Sequence, residues 1–170
     1  TIPANKALAY NAGLKYVLLE INDNKNFVDR KIVIAKDLIE PFKKDTSIEN
    51  IKVLNEFLGK DLRGTVCSHP FSKMGYDYDI PMLEANFVTT EQGTGIVHCA
   101  PSHGPDDFNL CLNNNIKAIE TVDGDGKYTN EIKLFEGLHI FKANNLIIEK
   151  LDEQKNLSLI HISEPTRRWI

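Results

Sequence analysis

The sequence predicts an α+β fold: a β-barrel-like domain, closed or half-closed, with short helices at its periphery. Three observations carry this reading. Short β-branched, apolar runs separated by turn formers crowd the first hundred residues. Sustained helical periodicity is confined to a stretch near the C-terminal end. The 170 residues, 42% hydrophobic, suit one substantial core and therefore one domain.

Residues 15–21 (KYVLLEI) and 30–35 (RKIVIA) read as a hairpin around the turn formers of residues 22–26. Residues 36–44 suggest a short helix with Asp37 near its start, which Pro41 is expected to end or kink. Residues 51–58 and 65–69 read as strands divided by a polar turn, and residues 80–83 and 87–90 as two more. Residues 106–112 make one or two helical turns, with Asp106 and Asp107 at the positive end of the macrodipole. Residues 122–127 form a turn-rich loop. Residues 143–155 are the clearest helix, with Leu146, Ile147 and Leu151 on one face and charges on the other.

The net charge of −4 and pI near 5.7 place lysines among acidic residues without a basic face, which argues against tight autonomous binding of nucleic acid. Cys67, Cys99 and Cys111 are irregularly spaced, poor material for a disulfide framework and consistent with a reducing compartment. No apolar run approaches the roughly 20 residues that span a bilayer. The expected location is the cytoplasm, or an organellar matrix, without membrane association.

The densest chemistry lies in residues 93–108, where Gly93-Thr94-Gly95 leads through Ile96 and Val97 to His98, and Cys99-Ala100-Pro101 leads through His103 and Gly104 to Asp106 and Asp107. Two histidines, two adjacent carboxylates and a glycine turn within this span mark a site. The glycines permit positive φ or a close approach to a bound group, and Pro101 and Pro105 stiffen the path. A histidine in an apolar strand is more often packed than catalytic, but the turn before it and the carboxylates after it fit a pocket wall. Carboxylates that open a helix are commonly caps, a role better suited to Asp106 than to Asp107. A zinc site from His98, Cys99, His103 and Cys111 is disfavoured, because adjacent His98 and Cys99 point to opposite faces of a strand and the spacing matches no standard site. Neither Cys99 nor Cys111 has a context that activates a nucleophile.

This run resembles the signature of the editing domain of isoleucyl-tRNA synthetases, the inserted domain that hydrolyses valine wrongly attached to isoleucine tRNA. The opening Thr1-Ile2-Pro3-Ala4-Asn5-Lys6-Ala7, the middle His69-Pro70-Phe71 and the closing Phe141-Lys142-Ala143-Asn144 fit the same pattern. Coverage runs over residues 1–157, expected to be the domain. Valyl and leucyl editing domains are similar, but their pattern usually has Lys or Met in place of His98 and Asp in place of Gly104.

The resemblance implies a catalytic group of His98, Asp107 and Thr1. In it His98 positions the ester and limits the pocket to small side chains, and Asp107 anchors the free α-ammonium, a buried cation needing an anion. Asn5, Gly93, Thr94, Gly95, Ala100 and Pro101 are implied to bind the substrate. The implied partners are the 3′ aminoacyl end of isoleucine tRNA and the rest of a parent synthetase, with no metal or organic cofactor and a monomeric isolated domain. Most of the family's threonine-rich segment lies before Thr1, so full activity of this chain is expected to suffer more than binding. A non-hydrolysing module that captures aminoacyl or adenosine groups is the alternative, as is valyl- or leucyl-type specificity. Residues 158–170 depart from the pattern and are expected to be a non-native or disordered tail.

Overall fold

The computed structural model describes residues 1–23, 27–91 and 93–154. It is α+β: seven strands, β1 (Ala7–Tyr10), β2 (Lys15–Asp23), β3 (Phe27–Ala35), β4 (Ile51–Leu58), β5 (Val66–Ser68), β6 (Asp79–Glu84) and β7 (Ile96–Cys99), with helices α1 (Ile39–Thr46), α2 (Pro105–Asn113) and α3 (Ile140–Glu153). Among the described residues these strands form two sheets and close no barrel: one ordered β5-β6-β1-β7, the other β3-β2-β4. The tail of residues 158–170 and the tip of the hairpin at 24–26 lie outside the described residues.

The hairpin forms as its β-branched runs require, with Tyr16 opposite Ala35 and Leu19 opposite Ile32, and β4 adds to its other side. Val17, Leu19 and Ile21 alternate inward and are buried, the period-two pattern of a half-buried strand. Helix α1 does not stop at Pro41. That proline occupies the first turn, where its missing N–H has no intrahelical partner to lose.

Strand β1 escapes sequence reasoning. Its four residues include two alanines, and alanine is a weak strand former. Yet Ala7 and Ala9 are fully buried, and β1 pairs on both edges, parallel to β6 and antiparallel to β7. Residues 87–90, expected as a strand, instead leave the sheet in a turn. There Val88 is buried and its carbonyl accepts a hydrogen bond from the Asn11 carboxamide at 3.1 Å, a side-chain bond in place of a ladder. Helix α3 begins three residues earlier than its apolar face suggests, because the N–H of Phe141 is met by the His139 side chain (3.4 Å).

Three of the packed clusters among the described residues position the site. Cys111 of α2 packs on Ala7, Ala9 and Cys99, joining that helix to β1 and β7. Tyr10, Met82 and partly buried Ile96 meet Tyr16, Ala35 and Leu38, joining the two sheets. Ala143, Ile147 and Leu151 of α3 cover Phe71, Tyr76, Tyr128 and Phe135. Each Ile or Leu fully buried in this way contributes roughly 1.5–3 kcal/mol.

The sheets are pinned where β7 begins. The Tyr16 hydroxyl donates to the Gly95 carbonyl (2.7 Å), and the Ala35 N–H donates to the Thr94 carbonyl (2.8 Å). Gly95 has φ +72°, and a Cβ there would lie 2.6 Å from the Cβ of Ala35. Gly95→Ala therefore combines left-handed backbone strain with overpacking and should cost about 2–4 kcal/mol. Gly124→Ala, at a position with nothing within 4 Å, should change stability by less than about 0.5 kcal/mol. Urea unfolding of the two variants checks the contrast.

His69 lies between β5 and β6, 2% exposed, its ring stacked 4.6 Å from Tyr76. Nδ1 accepts the N–H of Phe71 (3.0 Å) and Nε2 lies 3.2 Å from the Ile2 carbonyl, so both nitrogens of a neutral imidazole are satisfied. Burial lowers its pKa to about 4. The unfolded chain, with an ordinary histidine near 6.5, binds the extra proton first. Stability from this residue is thus fully present above pH 6.5 and lost as pH falls toward about 4, at no more than about 1.4 kcal/mol per pH unit. Denaturation midpoints measured from pH 7 to 4.5 should fall more steeply in the native sequence than in His69→Gln; equal slopes would refute this role.

Candidate active site

The site forms where β1 and β7 begin and end together. Antiparallel pairing places Ala7 opposite Cys99 and Leu8 opposite His98, so Cys99 turns under α2 while His98 faces the other side of the sheet. The Lys6 N–H donates to the Cys99 carbonyl (2.9 Å), extending the pairing toward Asn5. A 3-10 turn, Ile2–Ala4, then brings Thr1 back over the sheet, with Thr1 Oγ1 2.9 Å from His98 Nε2. Two residues 97 positions apart thus share one hydrogen bond.

Beyond β7 the chain turns at Ala100 and Pro101, both buried, and enters α2 at Gly104. Asp107 does not sit idle in the first turn. Its Oδ2 accepts the N–H of Ala100 at 2.8 Å and so ties the helix to the end of β7. Asp106 is exposed and caps nothing, contrary to the expectation from sequence: the helix has no side-chain cap, and Gly104 is its N-cap residue. Asp106 still lies in the first turn, where the macrodipole favours a carboxylate.

Electrostatically the site is one neighbourhood. Burial lowers the pKa of His98, His103 acts in the same direction, and Asp107 opposes them. His103 is likewise lowered by burial, against Asp107. Both imidazoles are therefore mainly neutral at pH 7. His98 Nδ1 and Asn5 Oδ1 are buried and, among the described residues, have no hydrogen-bond partner. Buried polar groups without a partner are suited to receive a polar ligand.

Of the residues marked in the sequence, the structure brings together Thr1, His98, Ala100 and Asp107, with Asn5 and Pro101 alongside. It does not bring Gly93, Thr94 and Gly95 to this point. They lie at the opposite end of β7, some five residues of extended chain from Ala100, or roughly 16 Å. Gly95 is used there for the close contact with Ala35, and the Thr94 hydroxyl bonds the backbone of Ile96. Sequence reasoning missed the bond between His103 Nε2 and the Thr121 hydroxyl (2.8 Å), for which the 18-residue separation offers no local signal.

The cysteines are free thiols, and burial pushes Cys99 up to about 12 and Cys111 up to about 11. They stay protonated and fill space rather than attack. Among the described residues no three His, Cys, Asp or Glu side chains converge as metal ligands, and no helix is long and apolar enough to cross a membrane.

Residues 13–156 match the family model described as leucyl-tRNA synthetase, editing domain. Isoleucine–tRNA ligase of Pelagibacter ubique is 67% identical over 157 residues, covering 92% of this chain, and that of Gluconobacter oxydans 43% over 159 residues, covering 91%. The chain spans about 17% of the length of either relative. Among solved structures, GlLeuRS-CP1 superposes with a TM-score of 0.69 at 14% identity, covering 96% of this chain and 80% of that one. The cytosolic leucyl-tRNA synthetase editing domain of P. falciparum gives 0.64 at 14%, covering 92% and 73%. At such identity these two establish the fold alone. The chain belongs to the leucyl-tRNA synthetase editing-domain family, as a member matched over more than nine-tenths of its length by segments of isoleucine–tRNA ligases.

Proposed function

We propose that this domain hydrolyses the ester of valine misattached to isoleucine tRNA, as the proofreading part of a larger cytoplasmic synthetase. The observation that carries the reading is the meeting of Thr1, His98 and Asp107 at one end of β7. Similarity to isoleucine–tRNA ligases over more than nine-tenths of the chain supports the choice of amino acid.

The need for such a step is physical. A binding pocket separates side chains differing by one methylene only weakly, and isoleucine against valine, the standard worked case, reaches about 150-fold. A second site that admits the smaller ester and destroys it multiplies that ratio. Asp107 spends Oδ2 on the Ala100 N–H, which fixes the carboxylate, and offers Oδ1 to the α-ammonium of the bound amino acid. His98, neutral and half-buried, forms the wall that limits side-chain size. Asn5 presents its buried carboxamide oxygen to the ribose or ester, and the Thr1 hydroxyl places the attacking water. Ala100 and Pro101 line the floor. Gly93, Thr94 and Gly95 serve by fixing where β7 begins. Water attacks the ester carbonyl, the tetrahedral oxyanion collapses, and the terminal ribose hydroxyl leaves with a proton. Rate comes from orientation and local dipoles, with no cofactor in the step. The aminoacyl end of the tRNA is the only part this domain grips; the acidic balance of the chain leaves the rest to the parent enzyme.

Release of valine from valyl-tRNA by the chain, and by the chain extended N-terminally with the parent sequence, tests the activity. Binding of a non-hydrolysable valyl-adenosine analogue without release in either form would favour a binding module instead. Asp107→Ala should weaken the analogue by about 2–5 kcal/mol with the circular dichroism spectrum intact, and Asp107→Asn, which keeps an oxygen for Ala100, should lose most of the same binding. Unchanged affinity in a folded Asp107→Ala protein would sink the assignment. His98→Ala should admit isoleucyl-tRNA and raise its hydrolysis at least 10-fold relative to valyl-tRNA. Loss of valyl hydrolysis without that gain would instead make His98 a proton-transfer group.

A further inference from the structure

Thr1 and Asn5 bracket a segment whose only internal structure is the three-residue turn Ile2–Ala4. So short a 3-10 turn cannot by itself hold two side chains to the tolerance a reactive site requires. The hold comes from the stretch between β5 and β6. His69 Nδ1 accepts the Phe71 N–H (3.0 Å), which leaves the proton of the neutral imidazole on Nε2, donated to the Ile2 carbonyl (3.2 Å). The Tyr78 hydroxyl donates to the Asn5 carbonyl (3.1 Å).

These two donors are themselves braced. The His69 ring stacks on Tyr76 and lies 5.5 Å from the Tyr78 ring, whose face carries the Lys6 ammonium at 3.8 Å. Filling a core would need only rings at these positions. Instead each ring places one donor on a carbonyl, and the two carbonyls belong to the residue after Thr1 and to Asn5 itself. The opposite side of the segment is tied to β7 through the Lys6 N–H and the Thr1 hydroxyl.

We propose that His69 and Tyr78 are positioning residues, which clamp the carbonyls of Ile2 and Asn5 and thereby hold the Thr1 hydroxyl against His98 and the Asn5 carboxamide in place. Neither touches the ester. The clamp rests on the hydrolytic reading for its consequence, but its geometry is measurable without it.

The test uses the chain and three variants. Tyr78→Phe removes one hydroxyl. His69→Asn keeps an acceptor for the Phe71 N–H but is too short for Ile2, and His69→Gln reaches Ile2 with an N–H. Two readouts are taken: kcat and KM for valyl-tRNA hydrolysis, and the ¹⁵N resonances of the His98 imidazole, which report its bond to Thr1. In Tyr78→Phe and His69→Asn, kcat should fall roughly 10- to 100-fold, well beyond any change in KM, and the His98 Nε2 resonance should move. His69→Gln should restore both toward the native values. An unmoved His98 resonance in folded Tyr78→Phe, or an unchanged kcat, overturns the clamp. If neither the chain nor its N-terminally extended form shows hydrolysis, the hydrolytic reading fails by itself and the resonance alone judges the clamp. If the His69 variants do not fold, Tyr78→Phe decides for or against the clamp.

Discussion

Two alanines in the middle of a sheet set the geometry of this domain. Ala7 and Ala9 of β1 have no exposed surface, with Cys99 beside them and Cys111 of α2 above. Small side chains there let the helix lie close on the sheet, and larger ones would lift it, since packed interiors absorb added volume poorly. Lifting α2 would pull Asp107 from the Ala100 N–H. The same strand, read on its other face, aligns Leu8 with His98 and Tyr10 with Ile96, so one register sets both the imidazole of the site and the seam between the sheets.

Around this strand the charges are managed by burial. Desolvation lowers the histidines at 69, 98 and 103 and raises the thiols at 99 and 111, so these groups are mainly neutral at pH 7. Asp107 lies among them, its carboxylate held by the Ala100 N–H. A cationic ligand entering here would meet one partner and little competition, which suits recognition of an ammonium. The surface ion pairs, Lys36 with Glu56 or Arg63 with Glu84, are exposed and distant in role; pairs of that kind contribute little.

The histidines show how one residue type serves different ends. His69 has both nitrogens satisfied and is buried in aromatic surroundings, whereas His98 keeps Nδ1 without a partner among the described residues. A fully bonded imidazole holds structure in place. One with a spare buried nitrogen stands ready for something else, and the difference is written in hydrogen bonds rather than in sequence neighbours.

Short β-branched, apolar runs between turn formers made the hairpin and β4 legible from sequence alone; the alternation of a half-buried strand holds in β2, whereas β4 is exposed or half-exposed along its length. The density of polar side chains from His98 to Asp107 was likewise legible, but the glycine turn read with them lies at the other end of β7 and Asp106 caps nothing. Strand β1 was hidden, because alanine has no strand signature and its reason for being small is a helix a hundred residues later. The strand expected at residues 87–90 failed for the converse reason: its apolar Val88 is buried, but the backbone there bonds the Asn11 side chain. Which of two adjacent aspartates would bond Ala100, that Gly95 would serve a contact with Ala35, and that Thr1 would meet His98 were decided by tertiary structure. These depend on distances between segments far apart in the chain, which no local preference encodes.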